Sequence, residues 1–144
     1  MLCIKDYFAQ AHKRHLKLYD LQSDNDDGVY GVLYTWAAAL GDNTVGSDLT
    51  PSGIQGICPN GFHIPSQDEW VILTDYLGDA ALRGGKLKEA GTSHWQSPNT
   101  NATNETGFGA LPTGRRNWSM SSPFVGRETE GYWWSTSDWG AGND

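Results

Sequence analysis

Cysteine is scarce in this chain: two residues, Cys3 and Cys58, in 144. Two thiols allow at most one bridge and exclude a cysteine-built zinc site or a disulfide framework, and their spacing leaves open whether the bridge forms. Long apolar runs are missing as well. No stretch approaches the roughly 18 apolar residues of a membrane span, and the first 25 residues hold no apolar segment followed by a small-residue cleavage site. If the protein is exported, its signal lies outside this sequence. Basic charge is short too: ten Lys and Arg against 17 Asp and Glu leave a net charge of −7 and a pI near 4.9. Nucleic-acid binding leans on clustered cations that release counterions, so the balance argues against that partner and fits a neutral sugar, a cation or a small polar ligand. Enzyme signatures are also lacking, with no G-x-S-x-G elbow, no H-E-x-x-H and no phosphate loop.

What is present is the composition of one folded, loop-rich domain: 38% hydrophobic residues, seven Trp and 18 Gly. With so many aromatic rings, most of the core is expected to be aromatic. Charge is uneven along the chain. Lys5, Lys13, Arg14 and Lys17 face only Asp6 and Asp20, so the first 23 residues are net basic and the remainder carries more than the whole negative balance. Ile4, Phe8, Ala11, His15 and Leu18 recur at helical spacing, which sets residues 1–28 apart as an atypical N-terminal segment, a helix or a leader, before a single domain over 29–144. His12 and His15 stand one helical turn apart without a third ligand nearby, too few for a metal site.

The stretch GICPNGFHIPSQDEW, residues 56–70, carries dense local instruction. Pro-Asn-Gly supplies a tight turn, Pro65 holds Ile64 extended, and Ser66 followed three residues later by Glu69 makes a capping box. This predicts a helix over about 67–77 with Trp70, Leu73, Tyr76 and Leu77 on one face and Gly78 as its stop. His63 reads as a buried, hydrogen-bonded histidine. Upstream, YTWAAALG reads as a short helix ended by Gly41, and the sixteen residues from Gly41 form a long loop. Asp24, Asn25, Asp26 and Asp27 resemble the start of a calcium loop, but the twelfth position counted from Asp24 is Thr35 rather than an acid, so an EF-hand is excluded.

Candidate chemistry falls in residues 91–138, rich in Asn, Thr, Ser, Trp and Gly and nearly free of periodicity. Asn101, Asn104 and Glu105, with Glu130 and Asp138 downstream, offer the oxygen donors that Ca²⁺ takes in six- to eight-fold coordination. Asn and Thr also satisfy turn backbones, which is the structural alternative. Trp95, Trp118 and Trp134 are candidate platforms for a sugar ring or acyl chain, with Arg115, Arg116 and Asn117 as polar partners. If 131–136 is a strand, Tyr132 and Trp134 point one way and Trp133 the other. His94 is the candidate general base, with Glu105 or Asp138 as metal ligand or orienter, should the chain hydrolyse an ester, lactone or phosphoester with calcium assistance.

The segments YGVLYTWAAAL, SGIQGICPNGFHIPSQDEW, GGKLKEAGTSHWQSPNTNATNETGFGALPTGRRN and GYWWSTSD, spanning roughly residues 30–138, together resemble the Fibrobacter succinogenes major paralogous domain. HIPSQDEW and NETGFGALPTG are also similar to the formylglycine-generating-enzyme and C-type-lectin-like group. The resemblance implies an α+β fold of C-type-lectin type, with two short helices, small antiparallel sheets, long loops and Ca²⁺ or ligand sites among them. It implies a secreted or surface bacterial protein. Members of the family run on past WWSTS into strands bearing a second cysteine, so the resemblance implies a C-terminally truncated domain, a Cys58 without its family partner and an open sheet edge through which a homodimer would form. The expectation is therefore a Ca²⁺-assisted module binding a glycan or small neutral ligand, with a Ca²⁺-dependent hydrolase or an inactive adhesive unit as alternatives.

Overall fold

The computed structural model describes residues 18–19, 29–31, 33–41, 45–117 and 124–138. Elements are short: β1 (Leu18–Tyr19), β2 (Leu33–Tyr34), α1 (Trp36–Ala39), α2 (Gln67–Leu77), α3 (Arg83–Leu87), β3 (Arg115–Arg116) and β4 (Phe124–Val125). β1 pairs with β2, and β3 pairs antiparallel with β4 in the register Arg115↔Val125 and Arg116↔Phe124. The class is α+β. All four of these strands are two residues long, so their edges offer little template for pairing with a second copy. Among the described residues no helix is long and apolar enough to cross a membrane.

The chain divides into two compact units, the first made of Met1–Tyr19, Tyr34–Leu73 and Trp133–Asp144, the second of Asp20–Leu33 and Thr74–Tyr132. The expected atypical segment 1–28 lies almost wholly outside the described residues, as do Cys3, His12, His15, Asp24 and Trp118.

In the first unit α1 starts where Thr35 accepts a hydrogen bond from the Ala38 amide at 3.2 Å, and it ends at Leu40 before a left-handed Gly41. The capping box forms as read: Glu69 Oε2 accepts from the Ser66 amide at 3.0 Å, and Ser66 Oγ accepts from the Glu69 amide at 3.3 Å. Helix α2 then covers the predicted range, although Tyr76 is 85% exposed and leaves the expected apolar face. The core here is built from Ala38, Ala39, Leu40, Cys58 and Ile64. Buried Thr136 stitches it, donating its amide to Pro65 O at 2.8 Å and its hydroxyl to Ser47 O at 2.6 Å. Residues 131–136 are not a strand, and Tyr132, Trp133 and Trp134 are all exposed instead of alternating. The aromatic core expected from composition is not seen: only Tyr34 and Trp95 join the buried hydrophobic set among the described residues. Cys58 is disulfide-bonded, and the only other cysteine of the chain is Cys3. The resemblance implied a Cys58 without its family partner, yet Cys58 is bonded.

In the second unit α3 follows directly on the turn that ends α2, and its pairing with the next loop is backbone-mediated. Gly85 is the contact point, since a Cβ there would lie 2.1 Å from Asn101 O. Lys88 and Ala110 form a parallel bridge that closes the loop between them, and Trp95 fills its base, donating its indole N–H to Ala110 O at 2.8 Å.

Candidate functional site

The side chains proposed for calcium do not gather. Asn101, Asn104 and Glu105 share the loop after Trp95, where each has another task. Asn101 and Asn104 take left-handed backbone angles (φ 59° and 51°), a conformation that Asn tolerates in turns. Asn104 Oδ1 accepts the Gly109 amide at 2.6 Å, and Glu105 pairs with Lys86 Nζ at 3.0 Å. Glu130 sits on a different segment, bound to Arg115 and Tyr132, and Asp138 belongs to the other unit. Among the described residues no three His, Cys, Asp or Glu side chains stand together as a metal would need. The donor set as placed does not fit a calcium shell, because a hard cation requires its carboxylates turned inward on one point.

His94 does find a carboxylate, and it is Glu89, while Glu105 pairs with Lys86. The Nδ1 atom lies 2.8 Å from Glu89 Oε2, with both side chains a little over one quarter exposed. Glu89 is itself held on both sides of its peptide, its amide donating to Ala110 O at 3.1 Å and its carbonyl accepting from Asn99 Nδ2 at 2.9 Å. The edge of Tyr30 meets the His94 ring at 5.7 Å between centroids, and the Arg127 guanidinium lies 4.7 Å over Tyr30. A carboxylate on Nδ1 fixes the tautomer that carries its proton there, leaving Nε2 as an acceptor on the outer side. Such an atom takes a proton from water or a hydroxyl.

A second cluster surrounds Tyr132 on the β3–β4 side of the same unit. Its hydroxyl donates to Glu130 Oε2 at 3.0 Å, and Arg115 lies 5.3 Å over its ring. The Glu130 hydrogen bond is the first cause that holds the Tyr132 phenol above its ordinary value. Arg115 Nε stands 3.8 Å from the same Oε2, too far for a tight pair. Tyr132 is 49% exposed. An aromatic face flanked by a guanidinium and a carboxylate offers a hydrophobic seat together with a donor and an acceptor, the mixture that a sugar ring needs.

The other predicted residues are placed as follows. Trp95 is buried and structural, with Lys88 Nζ 5.0 Å over its ring. Arg116 and Asn117 are partly buried at the end of β3. In the first unit, Trp134 is half exposed but its indole N–H donates to Tyr34 O at 2.9 Å, and His63 binds Glu69 at 2.7 Å as a structural residue. Glu89, Tyr30, Arg127 and Tyr132 were not anticipated as site residues. The charge map alone carried a hint, because no acidic side chain lies between Glu105 and Glu128 while Arg115, Arg116 and Arg127 all do.

No curated protein and no solved structure matches the chain. A sequence profile does: that of the Fibrobacter succinogenes major domain, over residues 4–143. The match begins well before residue 30 and so takes in most of the N-terminal stretch expected to stand apart. With nearly the whole length covered, the chain belongs to the Fibrobacter succinogenes major domain family.

Proposed function

We propose that this chain is a ligand-binding module of a surface or secreted bacterial protein, of C-type-lectin-like fold, that takes a glycan or small polar ligand at the Tyr132 cluster. The observation that carries the reading is the exposed Tyr132 ring with Arg115 over it and Glu130 on its hydroxyl. The disulfide at Cys58 agrees with an oxidising compartment. Calcium assistance belongs to the expectation for such folds, though Asn104, Glu105 and Glu130 are each engaged with other groups. The test is calorimetric titration of the full chain with a panel of oligosaccharides, in calcium and in chelator. Binding that Tyr132→Ala weakens about tenfold, the order of one lost aromatic seat, supports the site. A ligand that binds equally well to Tyr132→Ala sinks it, and loss of binding in chelator would restore calcium to the mechanism.

A second reading, hydrolysis of an ester, lactone or phosphoester, is favoured by the His94–Glu89 contact. In that reading His94 Nε2 removes a proton from water as it attacks, and Glu89 steadies the imidazolium that results. Chromogenic substrates of the three classes decide it: turnover abolished by His94→Ala and lowered by Glu89→Gln supports hydrolysis, whereas turnover indifferent to both variants, or none, overturns it.

A further inference from the structure

We propose that Trp134 and Trp70 form a second ligand surface, within the first unit, whose occupant is an amino sugar: a glucosamine oligosaccharide that lays a pyranose face on an indole and keeps its ammonium group in acidic surroundings. This surface does not depend on the Tyr132 site. Three observations lead there. First, the indoles are brought together and fixed. Trp70 donates its indole N–H to Trp134 O at 3.2 Å, Trp134 donates its own to Tyr34 O at 2.9 Å, and Trp36 donates to the next carbonyl, Ser135 O, at 2.9 Å. The chain just beyond is anchored too, Thr136 on Pro65 and Ser47, and Ser137 Oγ by accepting the Gln67 amide at 2.8 Å. Trp134 is nevertheless 48% exposed, and Trp70 is half-buried. An exposed ring on an anchored backbone forgoes the burial of its apolar area and needs little ordering when a ligand arrives.

Secondly, the two rings have no hydrogen-bond donor left. Indole carries one N–H and no acceptor, so Trp70 and Trp134 offer a ligand their π surface, which suits C–H groups and cations. Thirdly, the surroundings carry charge of one sign. Residues 34–73 and 133–144 hold six Asp and Glu and no Lys or Arg, while the bases of that unit, Lys5, Lys13, Arg14 and Lys17, all precede residue 20. Asp68 is exposed two residues before Trp70 in the same helix, and the Gln67–Ser137 hydrogen bond holds the start of α2 against the segment that bears Trp134. A uronate, a nucleic acid or an anionic lipid surface would meet repulsion here. A neutral sugar would use the rings and leave the field unmatched. A protonated amino sugar uses both, its C–H face on the indole and its ammonium in the negative potential.

The experiment is calorimetry on the full chain in mildly acidic buffer, with the glucosamine tetramer, its fully N-acetylated counterpart and tetralysine as probes, and with tryptophan emission read on the same titrations. The glucosamine tetramer is expected to bind about tenfold more tightly than the acetylated form, the scale of a cation held at an indole face. It should bind more weakly at high salt and shield the indole emission from acrylamide. Trp134→Phe and Trp134→Leu both lose the bond to Tyr34 O, so comparing them isolates the aromatic face: at equal melting temperature, Phe should keep most of the affinity and Leu should lose about tenfold. Equal binding of the amine and acetylated sugars would overturn the cationic assignment. Tetralysine binding as tightly as the sugar would overturn it as well, since charge alone would then suffice. Equal affinity in the Phe and Leu variants, or binding that leaves wild-type emission and quenching unchanged, would remove the tryptophans from the site. Binding lost in Tyr132→Ala but intact in Trp134→Leu would refute this surface and assign the ligand to the Tyr132 cluster. No binding of the glucosamine tetramer would refute the inference and leave the Tyr132 reading to its own test.

Discussion

Removing the Glu69 carboxylate should cost more stability than any other single polar deletion in the first unit. Its Oε2 accepts the Ser52 amide at 3.1 Å and the Ser66 amide at 3.0 Å, while Oε1 meets His63 at 2.7 Å. Both serines are buried, at 3% and 0% exposure, so neither amide has water to fall back on. Glu69→Ala strands two buried donors and one end of the capping box. Each unsatisfied donor costs about 1–3 kcal/mol and the cap about 1 kcal/mol, but the cavity admits some solvent, so about 3 kcal/mol is expected in all. For a chain of this size that is a fall in melting temperature of about 6–12 °C. Glu69→Gln keeps an acceptor for the amides and should cost about 1–2 kcal/mol. The pH dependence has a definite sign. Burial works to raise the Glu69 carboxyl, yet the hydrogen bonds from His63 and from the Ser66 and Ser52 amides outweigh it, and the group lies below its ordinary value of 4.5. A carboxyl lowered on folding stabilises fully above its unfolded value and loses that contribution as pH falls through the folded one. The stability gap between wild type and Glu69→Gln, measured by urea unfolding, should therefore shrink as the pH falls through and below the ordinary value of 4.5. A Glu69→Ala variant within about 1 kcal/mol of wild type, or a gap that widens in acid, would refute the reasoning.

Gly85→Ala should destabilise by about 2–3 kcal/mol, because its Cβ would meet Asn101 O at 2.1 Å; thermal unfolding checks this, and a neutral change would mean that the loop shifts freely. The denatured, unreduced protein should titrate with no free thiol, and two should appear after reduction, consistent with its two cysteines. Glu130→Gln should return the Tyr132 phenol toward its ordinary value of 10, since the Glu130 hydrogen bond is the first cause that raises it. The Tyr132–Glu130 contact is accordingly held below that value and released as pH climbs through the raised one. Ultraviolet difference titration reads the shift, and an unchanged tyrosine profile would break the link.

The parts of the fold legible in the sequence are those specified by neighbours in the chain. Ser66 and Glu69 are three residues apart, and the helix they open begins and ends where the spacing put it. The helix α1 was readable for the same reason, from Thr35 to Gly41. Helix α3 was not, because Arg-Gly-Gly-Lys-Leu has no apolar period and two poor helix formers; of the two, Gly85 serves the close approach to the loop carrying Asn101. The run Tyr132–Thr136 invited a strand by alternation, yet Thr136 is fixed by Ser47 and Pro65, distant partners that local period cannot reveal. The site follows the same division. His94 was a visible candidate as a residue, whereas its partner Glu89 is indistinguishable in sequence from Glu105, which turned instead to Lys86.

That exchange of partners bears on where function lies. The segment 99–107 is rich in oxygen donors, and composition alone favours it as the metal-binding part of the chain. Much of it is nevertheless spent on architecture: the Asn99 amide N–H groups hold the Glu89 and Gly91 carbonyls, although its Oδ1 is buried without a hydrogen-bond partner, Asn104 closes on Gly109, and Thr106 reaches Lys86 O. A loop without regular secondary structure must satisfy its backbone groups with its own side chains, and the more completely it does so, the less it has left for a ligand. The β3–β4 hairpin is in the opposite position. Its backbone is served by the ladder and by the turn at Gly126, where the Thr129 and Glu130 amides both bond Gly126 O. Two arginines of this region lay their guanidinium groups over tyrosine rings, Arg115 over Tyr132 and Arg127 over Tyr30. Recognition chemistry is expected where side chains have been relieved of holding the chain together, and in the second unit that is the arginine-bearing hairpin with Tyr132, not the asparagine-rich loop beside it.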